Sequence, residues 1–183
     1  MKKNTNLKII CLLIILLVVA SQIINIVVEN NIYENSVTVI DNVLKFTYVE
    51  NTGGAFGVGQ NDTLTFVVIS ILVLAIILHF IISQKDRIDR KTLISVSLII
   101  SGGASNLIDR IFRGFVLDYI DISPLVKFPV FNLADTFVFI GWVMLVISIF
   151  IYWKDKSEKE RALERKIENE RKEINDSKDS RRE

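Results

Sequence analysis

Residues 101–135 read SGGASNLIDRIFRGFVLDYIDISPLVKFPVFNLAD. Apolar runs lie on both sides of this stretch, so most of it is expected at or inside a bilayer. Yet it holds Asn106, Asp109, Arg110, Asp118, Asp121, Asn132 and Asp135. A charge at membrane depth is costly, so such groups face a protein interior or a wet cavity and mark functional sites. Asp118 and Asp135 stand out because their neighbours are apolar: Phe115, Val116, Leu117, Tyr119 and Ile120 around the first, Leu133, Ala134 and Phe137 around the second. A solvated surface explains those two poorly. Asp121 borders the polar loop and reads as a cap or turn residue. For Asp109 and Arg110 a buried structural network, with Asp109 paired to Arg110 or Arg113, competes evenly with a functional role. Helical spacing puts Asn106 on one face with Asp109 and Arg110, and Asn132 on one face with Asp135.

Outward from this stretch the chain reads as four membrane spans joined by two longer loops. Apolar runs at 9–28, 64–83, 92–112 and 130–153 each reach the roughly 20 residues that cross a bilayer. A cleaved signal peptide competes for the first run, since small residues lie near Ala20, but three further spans make an uncleaved anchor simpler. Gly102, Gly103, Ala104 and Ser105 let the third span pack closely on its neighbours. Asp135, about five residues into the fourth span, is expected roughly 8 Å deep at 1.5 Å per residue. Residues 29–63 mix β-branched and aromatic residues with partial alternation, which predicts two or three short strands at the membrane surface. Asn51-Thr52-Gly53-Gly54 is a turn signal, and Phe56 after it reads as an anchor at the lipid boundary. Residues 113–129 read as a loop.

Lys and Arg crowd the N-terminus, the 84–91 loop and the segment after 153. The 29–63 segment has only Lys45, and the 113–129 loop only Arg113 and Lys127. The positive-inside rule then puts both termini in the cytoplasm and the polar stretch at the outer face. Residues 154–183 mix both signs of charge and read as a solvated helix or a disordered tail. Net charge is +1, which points to no acidic partner and no nucleic acid. Cys11 is the only cysteine and reads as a buried apolar residue. His79 is the only histidine and reads as a packed or interfacial one. One of each argues against a disulfide or a zinc site. No phosphate loop, CxxC or HExxH is present, so no metal or cofactor is expected.

Two carboxylates sharing a low-dielectric site can hold one proton between them, one acting as acid and one as base. That suffices for peptide hydrolysis with neither metal nor nucleophilic side chain. Two other readings use the same acids differently: a proton relay in a transporter, or no chemistry at all in a membrane adaptor whose tail binds a partner.

NTGGAFG at 51–57, GGASNLIDR at 102–110, VLDYID at 116–121 and FNLAD at 131–135, in this order on four spans, resemble the bacterial lipoprotein signal peptidases (signal peptidase II). The resemblance covers about residues 8–153. It implies a four-span helical membrane protein with a small extracytoplasmic β-cradle at 29–63; the charged tail at 154–183, cytoplasmic by the positive-inside rule, is not part of the family's core pattern. It also implies an aspartic endopeptidase that cuts prolipoproteins before a diacylglyceryl-modified cysteine. By motif match Asp118 and Asp135 correspond to the catalytic dyad. Asn51, Asn106, Asp109, Arg110 and Asn132 correspond to supporting, substrate-binding positions. The expected partners are prolipoproteins with a lipidated cysteine and the membrane lipids themselves. Three places depart from the pattern. Ser21-Gln22-Ile23-Ile24-Asn25 carries no charge where the family often does. Ser105 stands for a usual glycine, and Gly54 for a usual alanine.

Overall fold

The computed structural model describes residues 3–33, 35–54, 57–84 and 88–179. Phe56 and two cations of the 84–91 loop, Lys85 and Arg87, lie outside the described residues. The chain divides into two compact units, residues 1–145 and 146–183.

In the first unit the elements run α1 (Lys3–Ile32), β1 (Val37–Ile40), β2 (Leu44–Asn51), α2 (Thr63–Gln84), α3 (Arg90–Arg113), β3 (Val116–Asp121) and the start of α4 (Leu133–Asp179). All four helices are long and apolar enough to cross a membrane, over Lys8–Ile32, Thr63–Gln84, Arg90–Arg113 and Leu133–Asn169. α1 and α2 display Ile, Leu and Val outward over most of their length, as lipid-facing helices do. Cys11 belongs to this outward face and is exposed, which corrects its reading as a buried residue. An apolar thiol needs no protein cover where the solvent is hydrocarbon. His79 is also exposed, with its ring 3.4 Å from the Ser83 hydroxyl.

α3 is the central helix, packed against α1 and α2 and the most buried of the four. The Asp89 carboxylate accepts from the Thr92 amide at its start, and Gly114 ends it in the left-handed region at φ 84°, which costs glycine nothing. Two glycines set how near α4 comes. A Cβ on Gly102 would stand 2.2 Å from the Ala134 carbonyl oxygen, and one on Gly141 would stand 2.7 Å from that of Ser95. The uncharged segment of α1 meets α3 along a polar seam. Gln22 Nε2 donates to the Ser105 carbonyl at 3.2 Å and to its hydroxyl at 3.0 Å. Ser105 donates to the Ser21 hydroxyl at 2.8 Å, and Asn25 Nδ2 to Asp109 Oδ2 at 2.8 Å. Ser105 and Ser21 thus fit each other, and the uncharged Ser21–Asn25 stretch meets α3 through neutral donors and acceptors.

The three strands form one antiparallel sheet in the order β1-β2-β3. β1 and β2, an antiparallel pair, are two of the short strands expected within 29–63. β3 corrects the reading of 113–129 as loop: Val116–Asp121 pairs with β2 in a register that sets Asp118 opposite Val49 and Asn51 opposite Val116. Side chains alternate across a strand. Leu117 and Tyr119 therefore join Phe46 and Tyr48 in a core with Val28 and Ile32 of α1, while Val116 and Asp118 turn to the opposite face.

The second unit is the continuation of α4 through Asp179. Its charged side chains between 154 and 169 are exposed. Lys156 lies 5.4 Å from the Trp153 ring centroid and 3.8 Å from Glu160.

Candidate active site

The face of β3 that carries Asp118 forms one wall of a cavity of about 920 Å³. Asp135 reaches the same cavity from the first turn of α4, and Asn106 and Arg110 reach it from α3. Asn132 is the link. Its side-chain amide donates to Asp118 Oδ1 at 2.8 Å and to Asn106 Oδ1 at 3.2 Å. Its Oδ1 accepts from the Asp135 amide at 2.9 Å, and its own amide donates to Asp135 Oδ2 at 3.2 Å. Those last two bonds form a reciprocal capping box, with Asn132 as N-cap and Asp135 as the third helical residue. Two readings change accordingly. Asn132 does not share a helix face with Asp135, because it precedes the helix. Asp135 sits in the opening turn rather than five residues into the span. The spacing N-x-x-D ahead of an apolar run is a helix-start signal.

Both carboxylates receive a second side-chain amide. Asn51 Nδ2 donates to Asp118 Oδ2 at 2.9 Å, and Asn106 Nδ2 to Asp135 Oδ1 at 2.7 Å. Burial pushes the Asp118 carboxyl up to about 7, and the negative charge of Asp135 adds to that. The amides of Asn51 and Asn132, with the Arg110 guanidinium, pull the other way. A group so placed titrates in the neutral range, where acid and base forms are both available.

Arg110 Nη2 donates to the Gly53 carbonyl at 2.8 Å, and its guanidinium lies 5.5 Å from the centroid of Phe66. The loop after β2 is built on that ring. A Cβ on Gly54 would approach Phe66 to 2.6 Å and one on Gly59 to 2.9 Å, so a side chain at either position would push the ring aside, and Gly59 also holds a positive φ of 67°. The Nε of Arg110 is buried without a hydrogen-bond partner. Asp109 stands apart from the cavity. It is fully buried, bonded to Asn25, with Arg113 Nε 3.4 Å away; Arg113 also pairs with Glu29. The partner is Arg113 rather than Arg110. Asp121 accepts from the Ser123 amide at 2.8 Å and pairs with Lys45 at 3.1 Å. Burial pushes its carboxyl up, but Ser123 and Lys45 outweigh that and hold it below the usual range. Glu50 and Gln60 also line the cavity, and its apolar side is formed by Phe128, Pro129, Val130 and Phe131 before α4 and by Val138, Phe139 and Trp142 along it.

Four apolar helices with a small sheet that brings acidic residues to a half-apolar cavity define a membrane-embedded enzyme, and solved structures agree. The fold matches a bacterial membrane enzyme structure with a TM-score of 0.71 and 28% identity, over 83% of this chain and 92% of that one. The chain belongs to the signal peptidase II family, whose description matches residues 13–151, and it is therefore a protease of the multi-pass membrane type. The lipoprotein signal peptidase of Clostridioides difficile is 40% identical over 80% of this chain and 97% of its own length. That of Clostridium acetobutylicum is 38% identical over 65% of this chain and 77% of its own length.

Proposed function

We propose that this chain removes signal peptides from prolipoproteins, cutting before a diacylglyceryl-modified cysteine, with Asp118 and Asp135 as an aspartic dyad. Family membership favours this reading over a proton relay or an adaptor. One observation carries the assignment of the dyad: a single residue, Asn132, bonds to both carboxylates on the wall of one cavity. Two buried like charges so linked do not both ionise readily, so near neutral pH the pair holds one proton. The ionised member takes a proton from a water molecule, which attacks the scissile carbonyl. The protonated member gives its proton to that carbonyl's oxygen, forming a tetrahedral diol; the C–N bond then breaks as the first carboxyl passes the proton it took to the leaving nitrogen and the second takes one back from a diol hydroxyl. The apparent pKa values belong to the pair.

The other residues bind and orient. Asn51, Asn106 and Asn132 donate to the carboxylates and fix their rotamers, while Asp109 ties α3 to α1. Arg110, held by the Gly53 carbonyl, lines the cavity and offers its guanidinium to a substrate carbonyl. The two acyl chains of the modified cysteine lie along Val138, Phe139 and Trp142, where apolar area favours them by about 25 cal/mol per Å² buried. The 29–63 segment grips the peptide on the outer side of the membrane. The positive-inside distribution puts both termini, and the 154–183 tail, in the cytoplasm.

The test uses the purified chain in lipid and a synthetic prolipoprotein with its cysteine diacylglyceryl-modified or bare. Shortening of the modified form alone supports the reading. Proton flux into vesicles without a shortened product would replace it with the relay.

A further inference from the structure

The segment that carries Asn132 is fastened to β3 by its backbone. The Tyr119 and Ile120 amides donate to the Phe131 carbonyl at 3.0 and 2.7 Å, and the Phe131 amide donates to the Ile120 carbonyl at 3.1 Å. One further bond comes from a side chain. The Leu133 amide donates to the Tyr119 hydroxyl oxygen at 3.2 Å. Leu133 is the first residue of α4, so its N–H has no acceptor within the helix. The Asp135 amide goes to the Asn132 side chain and the Thr136 amide to the Asn132 carbonyl. Tyr119 thus completes the anchoring of the turn that presents Asp135.

The hydroxyl is held in place by its ring. Tyr119 is 3% exposed, belongs to the core with Val28, Ile32 and Leu117, and meets Phe46 edge-on with centroids 6.3 Å apart. Burial raises the phenol to about 12, so it stays neutral at working pH. Strand alternation sends Asp118 to the cavity and its neighbour Tyr119 to the core. Among the described residues that line the cavity, Tyr119 is absent.

We infer that Tyr119 is a positioning residue: its hydroxyl, by tying the first amide of α4 to the strand that bears Asp118, sets the distance between Asp118 and Asp135. This rests on the peptidase reading of the site. Without the hydroxyl, the start of α4 keeps its backbone ladder to β3 but loses the contact nearest Asp135. Asp135 then samples orientations in which it cannot share a water with Asp118. A 1 Å misplacement of a reacting group can cost on the order of 10²-fold. Substrate contacts are untouched, so the loss falls on kcat and not on KM.

The experiment uses the full chain in lipid, with Tyr119→Phe to delete the hydroxyl and Val28→Ala to loosen the packing around the Tyr119 ring while keeping the hydroxyl. Two readouts are taken. The first is kcat and KM on a diacylglyceryl-modified prolipoprotein, corrected for inserted enzyme. The second is hydrogen exchange at the Leu133 amide, which needs no substrate. Tyr119→Phe is expected to lower kcat at least about tenfold with KM within about twofold, and to speed Leu133 exchange at least about tenfold. Val28→Ala is expected to keep kcat within about twofold. A Tyr119→Phe enzyme with wild-type kcat, or one whose loss lies in KM, overturns the inference. If the wild-type chain cleaves nothing, the peptidase reading fails by itself, and Leu133 exchange still decides: unchanged exchange overturns the tie between Tyr119 and α4.

Discussion

Replacing Asn51 by alanine removes one of the two side-chain amides that support Asp118. The bond is 2.9 Å long and half-buried. A hydrogen bond to a charged group contributes about 1.5–3 kcal/mol. Water can enter the space left by the shortened side chain, so the lower end applies here. At about 1.4 kcal/mol per pKa unit, losing it raises Asp118 by about one unit. The sign follows from which form is bonded. The Asn51 amide stabilises the carboxylate, and its removal favours the acid. Asp118 starts at about 7, the value at which the proton held by the pair is lost. The alkaline limb of the cleavage profile therefore lies near pH 7 in the wild type and near pH 8 in Asn51→Ala, an upward shift of about one unit. The variant is slower overall, because Asn51 also accepts from the Gly53 amide at 3.0 Å and Gly53 holds Arg110. Its rate relative to wild type nevertheless rises between pH 6 and pH 9, by up to about tenfold. Initial rates across that range decide the matter. A limb that stays in place, or moves down, refutes the role of Asn51 as a donor to an ionising Asp118.

Arg110→Lys should insert normally and lose at least about tenfold in rate, or about 1.4 kcal/mol of barrier, because an ammonium cannot copy the planar fork that reaches Gly53 and lies over Phe66; equal cleavage would make the fork irrelevant. Gly102→Ala should lower both the thermal midpoint and the cleavage rate, since the added methyl meets the Ala134 carbonyl oxygen and overpacking costs about 1–3 kcal/mol. A wild-type midpoint and rate would show that α3 and α4 separate freely. Truncation after Lys156 should leave the rate per inserted enzyme within about tenfold of wild type, because the described residues that line the cavity all precede it; a larger loss would give the tail a part in the chemistry.

The four spans were legible because a bilayer asks for one simple thing, an apolar run of sufficient length. The acids were legible as a set because charge is expensive there. What could not be read was the strand that carries Asp118. VLDYID breaks its apolar alternation with two carboxylates, and its partner, β2, lies some 67 residues away at the contact between Asn51 and Asp118. Pairing over that separation leaves no local mark in either segment. FNLAD did contain its answer, since N-x-x-D before an apolar run is a helix start. The apolar run that extends back to Val130 masks it, since such a run points to a helix interior at Asp135. Ser21, Gln22 and Asn25 looked like a missing charge on α1. Their role appeared only when α3 was laid beside them, Ser105 filling against Ser21 and Asp109 taking Asn25 and Arg113.

The proposed dyad requires both Asp118 and Asp135 for hydrolysis. The direct measurement is the rate of prolipoprotein cleavage by Asp118→Asn, Asp135→Asn and Asp121→Asn at equal membrane-inserted amounts. Asparagine can neither serve as the base nor pass the proton on, so each of the first two should lose at least about 100-fold. Asp121, paired with Lys45 and capping Ser123, is the control and should keep most of the rate. An inactive Asp121→Asn, beside an Asp118 or Asp135 variant that keeps more than about a tenth of the wild-type rate, would contradict the account.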